Sequence, residues 1–385
     1  MHPQEEDHSD DIVLPGVYEA PLPSAKEFLP WHLPRKQYVR DHQWAEQIGR
    51  LMHDAPLTDG TLKYLGLPGV DLLDLRYFHA RLCGPQNVKF RFLGFNSDAM
   101  PTSKAHAELN ISLDEVRRLS RVDPLSDVIR DNFALVAKED SLACRKAREL
   151  GPFDVINLDL CDGFGAHAPG TLDHNYYDAV RSLFSLQARS KTPWLFLLTT
   201  RADRPNVDDQ VLEALLGKYL KNLHDCAPFR DASRDEFAIE TEEAMSAAAE
   251  TPSGLLSVFL TGLCKWFLGL ALAHQPPISI ELRSVMGYRV NRGADHEDLI
   301  SLALRLTPTF VPAPDPLGLA NKPAVPPDEC VLATRALKRV AKRVDADKKL
   351  ADDANLNQQM IDATATLLAG ARYDIEAYRT WLQDA

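Results

Sequence analysis

The sequence has no CxxC pair, no HExxH, HxxxH or facial-triad spacing among its twelve histidines, no GxSxG, no P-loop and no Cys-His pattern. Zinc chemistry, nucleophile-triad hydrolysis and NTP hydrolysis therefore have no support in it. Its six cysteines, Cys83, Cys144, Cys161, Cys226, Cys264 and Cys330, lie far apart. The N-terminal stretch "MHPQEEDHSDDIVLPG" is acidic and lacks an apolar h-region, so a reducing cytoplasm with free thiols is the expectation. Excess positive charge is missing too. A net charge of −12 argues against coating nucleic acid through bulk electrostatics, although a local basic groove would not show in that total.

What is present is ordinary globular material. The chain has 385 residues, 45% apolar and 25% charged, enough for one large core or two modest ones. Residues 1–35 form a proline-rich acidic arm, and residues 36–60 a helical cap. In "RKQYVRDHQWAEQIGRLMHD", Tyr38, Trp44, Ile48 and Leu51 recur at helical spacing with Arg35, Lys36, Arg40 and Arg50 between them, giving one amphipathic helix with a basic face. "GLLSVFLTGLCKWFLGLALAH", residues 254–274, is long enough to cross a bilayer. Lys265 at its centre favours a fully buried helix of a sheet-based fold, and no membrane is expected.

From Leu62 onward strand and helix patterns alternate. "LKYLGLPG" reads as a strand ending in a Gly/Pro turn, "VDLLDLRYFHARL" as a helix or in part a strand, and "VKFRFLGFNSD" as a strand. "ISLDEVRRL" carries a capping-box pattern from Ser112 to Glu115 and predicts a helix. "FALVAKED" predicts a strand, "SLACRKAREL" a helix stopped by Gly151, "FDVINLDL" a strand, "YYDAVRSLFSLQARS" a helix and "PWLFLLTTR" a strand buried on both faces. Such alternation implies a parallel sheet flanked by helices. "ISIELRSVMGYRV" and "DLISLALRLTPTF" are separated only by "NRGADHE", too short for a helical crossover, so they pair antiparallel. Residues 313–330 are a proline-rich linker or strap, and residues 331–385 a helical extension, either one helix or a hairpin broken near residues 352–357.

This order of elements resembles the class I S-adenosylmethionine-dependent methyltransferases, whose sheet ends in an antiparallel sixth and seventh pair. The chain looks like the divergent bacterial methyltransferase-like proteins, similar in kind to the partners of three-Cys-motif proteins, over residues 62–311. The resemblance implies a Rossmann-like three-layer α/β sandwich that binds S-adenosylmethionine. It implies a cofactor turn at "YLGLPG", with Gly66 and Gly69, although the GxGxG spacing and its preceding acidic residue are missing and Pro68 removes an N–H. It implies Asn96 or Asp98 near the ribose hydroxyls and Asp140 near the adenine amino group. Asp159 and Asp162 fall at the exit of strand four, where methyl transfer would occur, or else are the solvated polar end of a strand. The Asp/Asn-Pro-Pro-aromatic turn of amino-methyltransferases of DNA does not occur there.

Two further groups sit at the same edge. Thr199, Thr200 and Arg201 follow strand five, where Arg201 binds an anionic acceptor or pairs with Asp203. The helix bearing Arg35, Gln37, Arg40 and Trp44 is either a lid over the crevice or a solvated basic face. His167 and His174 flank the "DGFG" loop. Three functions remain open: methyl transfer to an unidentified acceptor, with Asp159, Asp162 and Thr200 at the reacting end; a catalytically degenerate scaffold in a multi-protein, nucleic-acid-modifying or defence assembly; or a related nucleotide ligand bound without transfer. A protein partner would meet the C-terminal block of Arg339, Lys342, Arg343, Lys348 and Lys349, whose default reading is a solvated helix face.

Overall fold

β1 (Thr61–Gly66), β2 (Lys89–Phe95), β4 (Val155–Asp159) and β5 (Trp194–Arg201) bury side chains on both faces, as strands covered by helices on both sides must. The structure, a computed structural model, describes residues 26–99, 103–160, 162–168, 170–171, 175–291, 296–309, 317 and 327–384. The remaining strands are β3 (Asp127–Ile129), β6 (Ile278–Tyr288), β7 (Leu299–Pro308) and β8 (Val344–Asp345). One sheet runs β3-β2-β1-β4-β5-β7-β6-β8. The first five strands are parallel, β7 is antiparallel to both β5 and β6, and β8 adds parallel to β6. This is the expected Rossmann-like, methyltransferase-type order, with β8 as an extra edge.

Helices follow in chain order: α1 (Pro34–Val39), α2 (Glu46–Asp54), α3 (Leu73–Phe78), α4 (Lys104–Arg117), α5 (Leu142–Leu150), α6 (Tyr176–Gln187) and α7 (Asp209–Asp225). After them come α8 (Ala227–Phe237), α9 (Glu242–Ala249), α10 (Pro252–Leu272), α11 (Glu329–Ala341), α12 (Ala346–Asp352), α13 (Ala354–Ala369) and α14 (Ile375–Asp384). Side-chain caps set many of the starts: Ser141 accepts from the Cys144 N–H, Asn175 from Asp178 and Thr251 from Gly254. One core joins α5 to α8, α10 and α11 to one face of the sheet; a second joins α1 to α4, α12 and α13 to the other. A third, smaller cluster ties α13 and α14 to Leu73 and to Phe28.

Several expectations change. "FALVA" is a 3-10 helix, Phe133–Ala137, and the third strand is the short Asp127–Ile129 before it, because Phe133, Ala134 and Val136 are buried as one helical face. α4 starts at Ser103, whose hydroxyl accepts from the His106 N–H, so Ser112 lies inside the helix, buried, and caps nothing. The cap region is broken by a π-helical turn, Arg40–Ala45, and a second such turn, His79–Cys83, continues α3. The C-terminal region breaks at Asp353, within the expected 352–357, but β8 and a further break before α14 make it four helices; α11 packs on α8 and α10, and α12 and α13 on α1. Most of the 313–330 strap, and the arm up to residue 25, lie outside the described residues.

The expectation of six free thiols is overturned as well. Cys226 and Cys330 form a disulfide with Cα atoms 5.7 Å apart, joining the start of α8 to α11. Capping at Cys226 and helix packing bring together residues 104 positions apart, a proximity spacing alone could not reveal. Cys83, Cys144 and Cys264 are free and buried, and Cys161 lies outside the described residues. α10 is long and apolar enough to cross a membrane, and 78% of its apolar window is buried inside the protein. Its Lys265 ammonium is held by Glu329 at 2.6 Å and by Asn222.

Candidate functional site

β4 alternates its side chains, so Asn157 and Asp159 face the layer that holds α1, while Ile156 and Leu158 enter the opposite core. α1 lays Lys36 over that exit. The Lys36 Nζ lies 2.5 Å from Asp159 Oδ1, donates to the Tyr288 hydroxyl at 3.3 Å, and sits 4.5 Å from the Trp44 ring centroid. Arg40, one turn on, pairs with Asp74 of α3 at 2.7 Å. Lys36 and Arg40 are each only 3% exposed. Two of the four cations of this face, Lys36 and Arg40, are therefore buried rather than solvated, because two carboxylates beneath them compensate the desolvated charges, while Arg50 stays exposed.

The π-helical turn brings both Gln43 and Trp44 onto the strands. Trp44 donates to Ser301 Oγ at 3.1 Å, Gln43 to the Ser301 carbonyl at 3.0 Å and to Ser284 Oγ at 3.1 Å, and Thr199 to Ser301 Oγ at 3.1 Å. Burial depresses the Lys36 pKa, but Asp159, Tyr288 and Asp74 outweigh it, and the net value lies above that of an ordinary lysine. Burial and the neighbouring Asp74 raise the Tyr64 hydroxyl well above its usual value, and burial pushes Tyr288 up to about 12. Both phenols are thus neutral at physiological pH.

Part of this chamber is unsatisfied. Among the described residues, both amide atoms of Gln37, both of Asn157 and the Nη1 of Arg40 are buried without a hydrogen-bond partner. The Tyr64 hydroxyl is close enough to Asn157 to affect its own ionisation, yet no well-aligned hydrogen bond joins them. A buried polar group without a partner costs about 1–3 kcal/mol, so these atoms call for water or ligand. Leu72, in the turn between β1 and α3, has φ +53°, a left-handed conformation costing about 1–2 kcal/mol that ordinary loops avoid.

The other residues singled out from the sequence are placed as follows. The Tyr64 ring crosses Gly66, where an added Cβ would lie 2.6 Å from it, so that glycine makes room for a side chain. Gly69 is exposed with open space around it. Asn96 donates to the Pro68 carbonyl at 2.9 Å and accepts from the Asp98 and Ala99 N–H groups, stapling the turn to the β2 exit. Asp98 is exposed at that exit. Asp140 is 79% exposed, 3.9 Å from Lys138, and follows the 3-10 helix rather than a strand. Asp162 accepts from the Tyr176 hydroxyl at 3.2 Å. Thr200 accepts from the Phe164 N–H at 2.6 Å and so fixes the "DGFG" loop.

Arg201 pairs with Asp298 at 2.5 Å instead of Asp203, because Asp298 is buried at the start of β7 opposite it. Arg35 binds Asp347 of α12 at 2.9 Å. His167 is exposed, and His174 lies outside the described residues. In the C-terminal basic block, Arg343 reaches Ser253 and Ser257, and Lys348 pairs with Asp352. Sequence reasoning missed Asn157, Tyr64, Asp74, Tyr288 and Ser301. Only the two-residue step from Asn157 to Asp159 pointed toward any of them.

The chain is an α/β protein whose sheet has the methyltransferase-type strand order, with a buried, charged roof over the β4 exit. The chain belongs to the PP_RS20740-like family, whose model matches residues 25–383. No curated protein matches it. Among solved structures it is similar to a protein from Listeria monocytogenes assigned as a class I S-adenosylmethionine-dependent methyltransferase, with 11% identity and a TM-score of 0.35. That match covers 75% of this chain and 65% of the other, less than two thirds of its length.

Proposed function

We propose that the chain binds S-adenosylmethionine at the β1/β4 exits and transfers its methyl group to an acceptor. The observation that carries this reading is the set of unpartnered buried atoms on Asn157, two residues before Asp159, and on Gln37 and Arg40 of the helical cap that carries Lys36. The methionine end of that cofactor is a zwitterion, and the chamber holds both complements. Asp159 already accepts an ammonium, that of Lys36, and would hold the cofactor's amino group; Lys36 and Arg40 would take its carboxylate. Asp98 would accept from the two ribose hydroxyls. Bound there, the cofactor supplies a methyl on a sulfonium, open to in-line attack by a nucleophile. Trp44 and Tyr288 line the ammonium with ring faces, keep water out and suit a positive charge. Transfer needs positioning and desolvation more than a strong base.

A degenerate scaffold is the second reading, favoured by Asn96, Thr200 and Lys36 each being committed to partners within the chain. Titration calorimetry with S-adenosylmethionine and S-adenosylhomocysteine separates the two. Micromolar binding that Gln37→Met weakens at least tenfold, without lowering the ligand-free melting temperature, supports the first. No heat at millimolar ligand supports the scaffold.

A further inference from the structure

Away from this chamber, a cavity of about 780 Å³ lies between the 3-10 helix, α5 and α6. Its lining includes four cations, Lys138, Arg148, Arg181 and Arg189, against two acids, Glu139 and Asp178. Asp140, 3.9 Å from Lys138 and 79% exposed, adds a third acid at the rim and leaves a local excess of one positive charge in a chain whose net charge is −12. The groove follows α6 from Asp178 to Leu186, about 12 Å at 1.5 Å per residue, farther than a single phosphate reaches.

The cations are available. Arg148 is 3.3 Å from Glu139 and Arg181 3.7 Å from Asp178, with every one of these side chains more than half exposed. Such surface pairs are worth about 0–1 kcal/mol, so an anion can displace them. Arg189 bonds the Arg148 and Leu186 carbonyls, and among the described residues it has no carboxylate partner. The lining contains no aromatic ring on which a base could stack. We infer that this groove binds the phosphodiester backbone of nucleic acid, without reading its sequence.

The groove also has an outlet. α6 begins at Tyr176, whose hydroxyl holds Asp162 just beyond β4. A strand lying along α6 therefore passes toward the carboxyl end of β4, on the sheet face opposite the one Asp159 turns to, and crosses that edge if nucleic acid is the acceptor class. This last step rests on the methyl-transfer reading; the groove's affinity does not.

Fluorescence anisotropy of the full chain, without cofactor, tests it using labelled single-stranded and duplex oligonucleotides, with tripolyphosphate as competitor. Three neutralised phosphates predict that affinity falls about 40-fold for duplex and about 20-fold for single strands between 50 and 200 mM salt. Arg181→Glu/Arg189→Glu should weaken binding at least tenfold with an unchanged melting temperature, and Arg118→Glu/Lys221→Glu should leave it within twofold. Preference for one oligonucleotide form identifies the source of the backbone. Equal binding by the groove variant overturns the inference, as does binding of tripolyphosphate without either oligonucleotide. Oligonucleotide binding by a chain that shows no heat with S-adenosylmethionine would uphold the groove and remove only the acceptor assignment.

Discussion

Replacing Asp159 with asparagine strands the Lys36 ammonium under the α1 roof. The two halves of the pair are unequal: the Lys36 side chain is 4% exposed and that of Asp159 is 21% exposed. Breaking a buried pair by removing one partner costs about 3–5 kcal/mol. For a chain of this length that is about 4–6 °C of melting temperature. Lys36→Met should cost less, because Asp159 can reach water.

The pH dependence is the sharper signature. In the native protein the Lys36 pKa lies above the ordinary 10.5, so the folded state binds more protons, and the stability from this group is lost as pH rises beyond that value. Without the Asp159 charge, burial dominates and the lysine's pKa falls below 10.5 in the folded state. The unfolded state then binds more protons, and the variant gains stability as pH rises toward 10.5. Urea melts of both proteins between pH 8 and 11 measure the difference, which cancels the other lysines. A difference that shrinks with rising pH is expected; one constant across the range would refute the account of the pair.

Burial lowers His32 to about 4 and pushes Asp154 up to about 6. His32 should therefore withdraw about 3 kcal/mol as pH falls from 6.5 to 4, while Asp154 works in the opposite direction across much of that range. Melts of His32→Asn against the parent isolate the first effect, and identical slopes would refute it. Cys226→Ser should destabilise by about 2–4 kcal/mol, and thiol titration in denaturant should count two fewer thiols before reduction than after. Thr200→Val removes the acceptor of the Phe164 N–H and should cost about 1–3 kcal/mol while leaving ligand affinity within twofold; a selective loss of turnover would instead make Thr200 a participant. Gly94→Ala should cost about 1–3 kcal/mol, since its Cβ would lie 2.8 Å from Pro68 and 2.9 Å from Val128.

The parallel sheet and its antiparallel last pair were legible because alternation and the seven-residue link before β7 constrain strand direction, while the order across the sheet came from the family resemblance. The third strand was not. Its three residues pair only with the last three of β2, while the neighbouring "FALVA" is more apolar and has strand-forming residue types. Asp159 could be read from its place after a buried strand, but its partner could not. Lys36 looks like any surface cation in the sequence, and only packing against residues more than a hundred positions away makes it a buried one. Separations of 104 and 97 residues likewise hide the disulfide and the Arg201–Asp298 pair. Long-range polar pairing leaves no periodic trace, and the chamber is built mainly from it.

The roof of the chamber is fastened by the far end of the chain. The Tyr378 hydroxyl holds the His32 carbonyl, Lys26 reaches the Ala371 carbonyl, and Asp347 grips Arg35. During synthesis, all eight strands can therefore emerge from the ribosome, with Asp159, Asp74 and Ser301 ready to receive the cap, before these outer latches exist. A polypeptide ending after β8 would have its sheet and the Lys36–Asp159 and Arg40–Asp74 pairs, but a roof without its outer latches. Maturation of the chamber is in this sense the last event of folding, and tags or truncations at the C-terminus act on it from more than three hundred residues away.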